Sequence, residues 1–203
     1  MSHILHLDSS ARQERSISRL LTKEFIAHWL QVHRQDRVTY RDVGKDFVPP
    51  IDEAWIAASF SKSETLAAEK ASVLSISNEL ISELSVADRY VFGVPMYNFS
   101  VPANFKAYID QIVRVNRTFT PDWQGLLTHK KMLVITTRGG SYANGTNLAH
   151  FDFQEPYLRA IFGFIGITDI TFIHAENLTE GEEARQQSLT EARYVMQQLV
   201  TTW

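Results

Sequence analysis

The stretch ILHLDSSARQERSISRLL, residues 4–21, carries the pattern that decides the fold. It begins with a short apolar run that Asp8 closes, and it continues through a polar loop rich in serine. It ends in a helical pattern that places Ile17, Leu20 and Leu21 on one face. The stretch therefore predicts a strand, a loop and a helix at the beginning of the chain.

The start of this predicted helix suits an anion. The first N–H groups of a helix have no partner within it, and the helix dipole favours negative charge there. The hydroxyls of Ser10, Ser16 and Ser18 can donate to phosphate oxygens, and Arg12 and Arg15 could lend charge. Because neither GxxxxGK[ST] nor GxGxxG occurs, the loop predicts a phosphate monoester site of another kind. The alternative is an N-capped helix that follows an edge strand and binds nothing.

Composition sets the class of protein. A chain of 203 residues with 44% hydrophobic and 21% charged residues is typical of one globular domain, here residues 1–203. A net charge of −3 argues against nucleic acid as the main partner. Without cysteine there is no disulfide and no thiolate nucleophile. No apolar run is long enough to span a bilayer, so we expect a soluble protein of the cytoplasm.

Strands and helices alternate along the rest of the chain. Further strands are predicted at residues 37–43, 88–94, 131–137 and 169–174. Further helices are predicted at residues 52–60, 66–84, 105–113, 153–165 and 180–201. This alternation predicts an α/β three-layer sandwich around a five-stranded parallel sheet. A sheet that begins with a phosphate loop favours the flavodoxin-like order 2-1-3-4-5, with ligands at the carboxyl ends of the strands.

Two later loops at that edge of the sheet suit a planar ring. Met96, Tyr97 and Phe99 surround the amide of Asn98, which makes Asn98 the candidate that orients such a ring. After the fourth strand, TRGG at residues 137–140 would bring backbone N–H groups close to the ring edge. The alternatives are a loop that covers the core and a glycine-rich turn. No histidine spacing indicates a metal site, and no GxSxG indicates a hydrolase.

With these loops in order, the chain resembles the bacterial FMN-dependent NADH:quinone oxidoreductases that also act as azoreductases, in the flavodoxin-like superfamily. Nearly the whole chain shares the resemblance. The segments that carry it most specifically are SIS at 16–18 downstream of Ser10, PMYNF at 95–99, FKAYID at 105–110, TRGG at 137–140 and FGFIGITDI at 162–170.

The resemblance implies that FMN is bound tightly but without a covalent bond. It implies that the FMN phosphate lies on Ser10, Ser16, Ile17 and Ser18. The ring would lie against Pro95, Met96, Tyr97, Asn98 and Phe99, and near Thr137, Arg138, Gly139 and Gly140. The substrate pocket would include Phe119 and Phe162, and Phe162 would reach the partner's site in a homodimer. The family commonly has serine where Thr137 stands, and the loop at 141–150 differs from the family.

The implied reaction is a ping-pong one without a catalytic side chain. NADH gives a hydride to the flavin N5 and leaves, and a quinone or an aromatic azo compound then takes two electrons. An azo bond would need two such cycles to yield amines. Two other functions stay open, namely a non-enzymatic electron carrier of the same fold and a flavin-free binding module.

Overall fold

The sheet begins where the sequence predicts it to begin. A computed structural model of the chain describes residues 1–60 and 71–203. Its strands are β1 (His3–Asp8), β2 (Arg37–Asp42), β3 (Arg89–Pro95), β4 (Lys131–Thr137) and β5 (Asp169–Ala175). All neighbouring strands are parallel, and their order is β2-β1-β3-β4-β5. The predicted fold class and strand order are therefore confirmed.

Helices cover both faces of this sheet. They are α1 (Ile17–Val32), α2 (Glu53–Phe60), α3 (Ser75–Val86), α4 (Ala103–Ile112), α5 (Gln154–Phe164) and α6 (Glu182–Thr202), with a short 3-10 turn at Ala149–Phe151. The part of the predicted 66–84 helix that begins at Leu66 lies outside the described residues. Among the helices that the structure describes, none is long and apolar enough to cross a membrane.

Two apolar cores sandwich the sheet because successive strand residues point to opposite faces. Leu5 and Phe92 contribute to the core that contains α3, α4 and α5. Ile4 and Val91 contribute to the core that contains α1 and α6. Each of these four side chains is fully buried. Packing on both faces thus holds the strands in place. Because the strands are parallel, the loops that follow them all emerge at the same edge of the sheet.

The ends of three adjacent strands meet at that edge. Asp8 at the end of β1 pairs with Gly93 in β3, and Pro95 at the end of β3 pairs with Thr137 at the end of β4. The Met96 N–H donates to the Thr137 carbonyl oxygen over 2.9 Å, which extends the pairing by one step into the loops. The loops after β1, β3 and β4 are therefore held side by side.

Candidate functional site

A cleft of about 560 Å³ opens at the carboxyl ends of β1, β3 and β4. Eight of the predicted site residues line it: Ser10, Ile17, Pro95, Met96, Tyr97, Thr137, Arg138 and Gly139. Its volume is within the range of small-molecule and cofactor sites, which is about 300–1,000 Å³. The three loops that the sequence singles out therefore form one concave site.

Hydrogen bonds to β3 and α4 hold the serine-rich loop in place. Ser9 Oγ donates to the Gly93 carbonyl oxygen over 2.9 Å, and the Asn104 amide donates to the Ser9 carbonyl oxygen over 3.0 Å. A side chain on Gly93 would place its Cβ 2.5 Å from Asp8 Oδ1 and 3.0 Å from Thr22 Cγ2, so glycine at this position leaves room for the buried Asp8 carboxylate. The loop is thus fixed from β1, β3 and α4 together.

Helix α1 begins directly at this loop. Ser16 is its N-cap residue, and Ser16 Oγ accepts a hydrogen bond from the Arg19 N–H over 3.4 Å. Ser16 Oγ also lies 3.2 Å from Ser18 Oγ, and both residues are buried. In the part of the chain that the structure describes, the Ile17 N–H has no protein acceptor. The helix start therefore offers an unpaired amide beside two buried hydroxyls.

Behind the loop, Arg19 forms an ion pair with Asp42. Its guanidinium donates to both Asp42 carboxylate oxygens, over 2.5 and 2.6 Å. Burial raises the pKa of Asp42, but the hydrogen bonds and charge of Arg19 outweigh burial and hold that pKa below its usual value. The pair stays charged over the neutral range and does not line the cleft.

The loop after β3 makes a tight turn. The Tyr97 N–H donates to the Ser100 carbonyl oxygen over 3.0 Å, and the Ser100 N–H donates back over 3.1 Å. Between them, Asn98 and Phe99 have φ angles of 48° and 69°, as in a type I′ turn. Phe99 stacks on Phe151 with ring centroids 4.8 Å apart. Asn98 and Phe99 stand at the tip of the turn and do not line the cleft.

After β4, the Arg138 side chain turns away into a network of charged and polar groups. It is 1% exposed and forms ion pairs with Asp152 over 2.9 Å and Glu176 over 3.2 Å. Arg138 Nε also donates to Gln154 Oε1 over 3.2 Å. Because Asp152 and Glu176 neutralise the guanidinium away from the cleft, Arg138 lines the cleft with its backbone. Among the described residues, the Gly139 and Gly140 N–H groups have no protein acceptor.

Sequence reasoning missed one wall of the cleft. Leu178, Thr179 and Arg185 come from the segment after β5 and the first turn of α6. The Leu178 N–H donates to the Arg138 carbonyl oxygen over 3.2 Å, and the Thr179 N–H donates to the Gly139 carbonyl oxygen over 3.1 Å. The predicted strand order already places β5 beside β4, which was the signal that the loop after β5 adjoins the site.

Phe162 lies in the core of this chain. It is 1% exposed, packs against Phe92 and Phe105, and does not line the cleft. Leu158, one helical turn earlier, is buried on the same face of α5, which explains the orientation. From the same helix, Phe164 lies against Phe119, with ring centroids 4.8 Å apart.

The chain is similar to known proteins over its full length. A model of the flavodoxin-like fold matches residues 2–200. A chain from Trichormus variabilis, named FMN-dependent NADH:quinone oxidoreductase 1, is 61% identical over 98% of this chain and 96% of that protein. The chain belongs to this family of flavodoxin-like proteins. A second family member, the FMN-dependent NADH:quinone oxidoreductase of a Nostoc species, is 55% identical over the whole length of both chains.

Solved structures agree with the family's fold. The azoreductase of Bacillus anthracis superposes with a TM-score of 0.88 at 24% identity and full coverage of both chains. An FMN-dependent NADH-azoreductase of the same species, solved in complex with FMN, gives a TM-score of 0.82 at 24% identity over 98% of this chain and 99% of that one. At that level of identity the likeness shows the flavodoxin-like fold alone.

Proposed function

We propose that this family member binds FMN without a covalent bond and uses NADH to reduce quinones by two electrons. We propose also that it reductively cleaves aromatic azo bonds to amines. The observation that carries the proposal is the 61% identity, over 98% of the chain, to a protein named for the NADH:quinone reaction. The cleft at the carboxyl ends of β1, β3 and β4 supports it, because a ligand of an open α/β sheet binds there.

The FMN phosphate fits the loop between β1 and α1. The group carries up to two negative charges, and the start of α1 offers an unpaired N–H at Ile17 and a favourable helix dipole. We assign the phosphate to Ser10, Ser16, Ile17 and Ser18. Arg12 and Arg15 line the same end of the cleft and complement its charge.

The isoalloxazine ring fits between the two later loops. Pro95, Met96 and Tyr97 form an apolar wall, and the tight turn through Asn98 and Phe99 holds that wall in place. On the other side, Gly139 lines the cleft with an unpaired N–H that can donate to the polar edge of the ring, and the N–H of the next residue, Gly140, is also unpaired. Thr137 completes the floor of the cleft at the end of β4.

The protein's part in the reaction is to bind and to orient. When bound, FMN would supply the transfer of two electrons from NADH to the acceptor. The chain has no cysteine, so no thiol can share that role. The apolar wall at Met96 and Tyr97 excludes water from one side of the ring site. Because one cleft serves both co-substrates, NADH leaves before the acceptor enters, which is a ping-pong order.

We propose that the protein works as a homodimer in the cytoplasm. A cluster of aromatic rings at the surface supports the dimer, since Trp123 is 71% exposed and lies against the partly buried Phe119 and Phe164. The three rings would be covered by a second copy of the chain, and Phe119 would then border the substrate pocket. Sedimentation of the purified protein tests the dimer, and a monomer at micromolar concentration would refute it.

Steady oxidation of NADH by the purified protein, with a quinone and no added protein partner, tests the enzyme function. A non-enzymatic electron carrier would show no such turnover. Cofactor released by acid should run as FMN on chromatography, and recovery of FAD would contradict the phosphate assignment. A colourless protein that does not take up added FMN would support a flavin-free binding module instead.

A further inference from the structure

Three arginines line the cleft from two separate segments of the chain. Arg12 and Arg15 come from the loop between β1 and α1, and Arg185 comes from the first turn of α6. All three are exposed. Within the ranges 1–60 and 71–203, none of their side chains forms an ion pair or a hydrogen bond to protein. The described cleft lining contains no aspartate or glutamate, although the chain as a whole has a net charge of −3.

The acidic neighbours of these arginines face other surfaces. Glu14 lies between Arg12 and Arg15 in sequence, but it does not line the cleft; it lines a neighbouring groove, which also includes Ser16 and Asp42. Glu182 and Glu183 precede Arg185 on α6, but they line a groove on a different side of that helix. In both segments, therefore, the arginines line the cleft and the neighbouring glutamates do not. The cleft is positively charged although the protein as a whole is acidic.

The phosphate of FMN does not account for all of this charge. A phosphate monoester carries about −1.5 to −2 charges at neutral pH, and the two arginines of the β1–α1 loop suffice to match it. Arg185 comes from a different wall, which follows β5 in a sheet where β3 and β4 separate β5 from β1. The segment that builds this wall pairs with Arg138 and Gly139. One arginine is left for a second anion.

We propose that Arg185 is the centre of a second anion subsite, which binds a phosphate or sulfonate group of a co-substrate while FMN is in place. The subsite rests on the proposed function, because it assumes that FMN occupies the β1–α1 loop. Both possible ligands share one chemical feature, which is a permanently anionic group that enters from the open side of the cleft. Its source is either the pyrophosphate of NADH or an acidic substituent on an aromatic acceptor.

Direct binding tests the subsite without turnover. The probe is inorganic pyrophosphate, titrated by calorimetry into protein saturated with FMN, with flavin fluorescence read in parallel. We expect binding to the parent protein and about tenfold weaker binding to Arg185→Gln, since each hydrogen bond to a charged group is worth at least a factor of that size. Arg34→Gln is the matched control, because Arg34 is exposed and lies before β2, at the opposite edge of the sheet.

Three results of this titration would overturn the subsite. They are the absence of pyrophosphate binding in the parent protein, equal binding by Arg185→Gln and the parent, and release of FMN by pyrophosphate. The last would assign the anion to the cofactor's own phosphate site. Equal loss in Arg34→Gln would also overturn it, because the effect would then be one of net charge. None of these results depends on whether the protein reduces quinones, so a failure of the proposed function is recognised separately.

Kinetics then identify the source of the anion. A selective rise of the KM for NADH in Arg185→Gln assigns the subsite to the dinucleotide pyrophosphate. A loss of about tenfold in kcat/KM for a sulfonated naphthoquinone, with the unsubstituted naphthoquinone unchanged, assigns it to the acceptor. A weakened affinity for FMN alone, with both co-substrates unchanged, contradicts the proposal.

Discussion

Arg19 Nη2 donates a hydrogen bond to the Ser10 carbonyl oxygen over 2.7 Å. Asp42 holds the same guanidinium through both of its carboxylate oxygens. Since Arg19 does not line the cleft, the bond draws the negative end of the Ser10 peptide dipole away from the ligand site. The ion pair thus sets the direction of a peptide group in the loop to which we assign the FMN phosphate.

Arg19→Gln should weaken the binding of FMN more than that of riboflavin, which has no phosphate. We expect the dissociation constant of FMN to rise about tenfold, because the variant loses the charged hydrogen bond from Arg19 that orients the Ser10 peptide group. Fluorescence titrations of the apoprotein measure both constants. Arg193→Gln breaks a similar pair, with Glu24 over 2.8 and 3.0 Å, and should leave the ratio of the two constants unchanged. An equal loss for both flavins would show that Arg19 supports only the fold.

The double variant Ser16→Ala, Ser18→Ala should weaken FMN binding on the order of a hundredfold, because each hydroxyl is assigned to a charged phosphate. It should also lose about 1 kcal/mol of unfolding free energy, since Ser16 caps α1. Urea titrations separate this loss from the binding effect, and Ser16→Thr should keep both the cap and the affinity. An unchanged dissociation constant would remove these serines from the site.

Asn98→Ala should destabilise the protein and slow flavin reduction by NADH. At a φ of 48°, an alanine costs about 1 kcal/mol in the left-handed region, where asparagine is better tolerated. Asn98→Gly should restore both the unfolding free energy and the reduction rate, because Asn98 forms the turn and does not line the cleft. A glycine variant that is stable but still slow would mean that the amide itself contacts the flavin.

Because of His174, the free energy of unfolding should fall as the solution becomes weakly acidic. Burial and, secondly, the positive charge of Arg138 lower the pKa of His174, although Glu155 lies 2.6 Å from its Nε2. An unfolded chain has an ordinary histidine pKa of about 6.5 and therefore binds more protons in this range. The contribution to stability is complete above about pH 6.5 and declines as the pH falls below that value.

Urea titrations between about pH 5 and pH 8 measure this dependence. His174→Gln should show a smaller fall in unfolding free energy toward acid than the parent protein does. His150→Gln changes an exposed histidine and should follow the parent curve. The assignment would be wrong if the His174 variant had the same pH slope as the parent.

The sheet and most of the cleft could be predicted because their signals are local. The run KMLVITT matches β4 at Lys131–Thr137 residue for residue, since a strand buried on both faces reads as a nearly continuous apolar run, here Met132 to Ile135. Once the strand order follows from the alternation of elements, the loops at residues 9–18, 96–102 and 137–145 must lie at one edge. Their chemistry can then be read from the residues they contain.

The remaining features depend on contacts between distant segments. Arg138 looks like a ligand residue in sequence, yet Asp152 and Glu176 bind its side chain. Phe162 and Phe164 are two residues apart on one helix, and only the packing of α5 decides which of them is buried. Arg185 reaches the cleft because the loop after β5 pairs with the loop after β4. Helical spacing from Leu158 is consistent with the burial of Phe162, whereas the positions of the Arg138 and Arg185 side chains depend on segments far away in sequence.

The central claim is that the flavin in this cleft passes two electrons from NADH to a quinone. Anaerobic stopped-flow mixing of the oxidised, FMN-loaded protein with NADH tests it most directly. The flavin absorbance should bleach in one phase and recover when a quinone is added in a second mixing step. Initial rates should then give parallel lines in double-reciprocal plots. A flavin that stays oxidised in the presence of excess NADH would contradict the account.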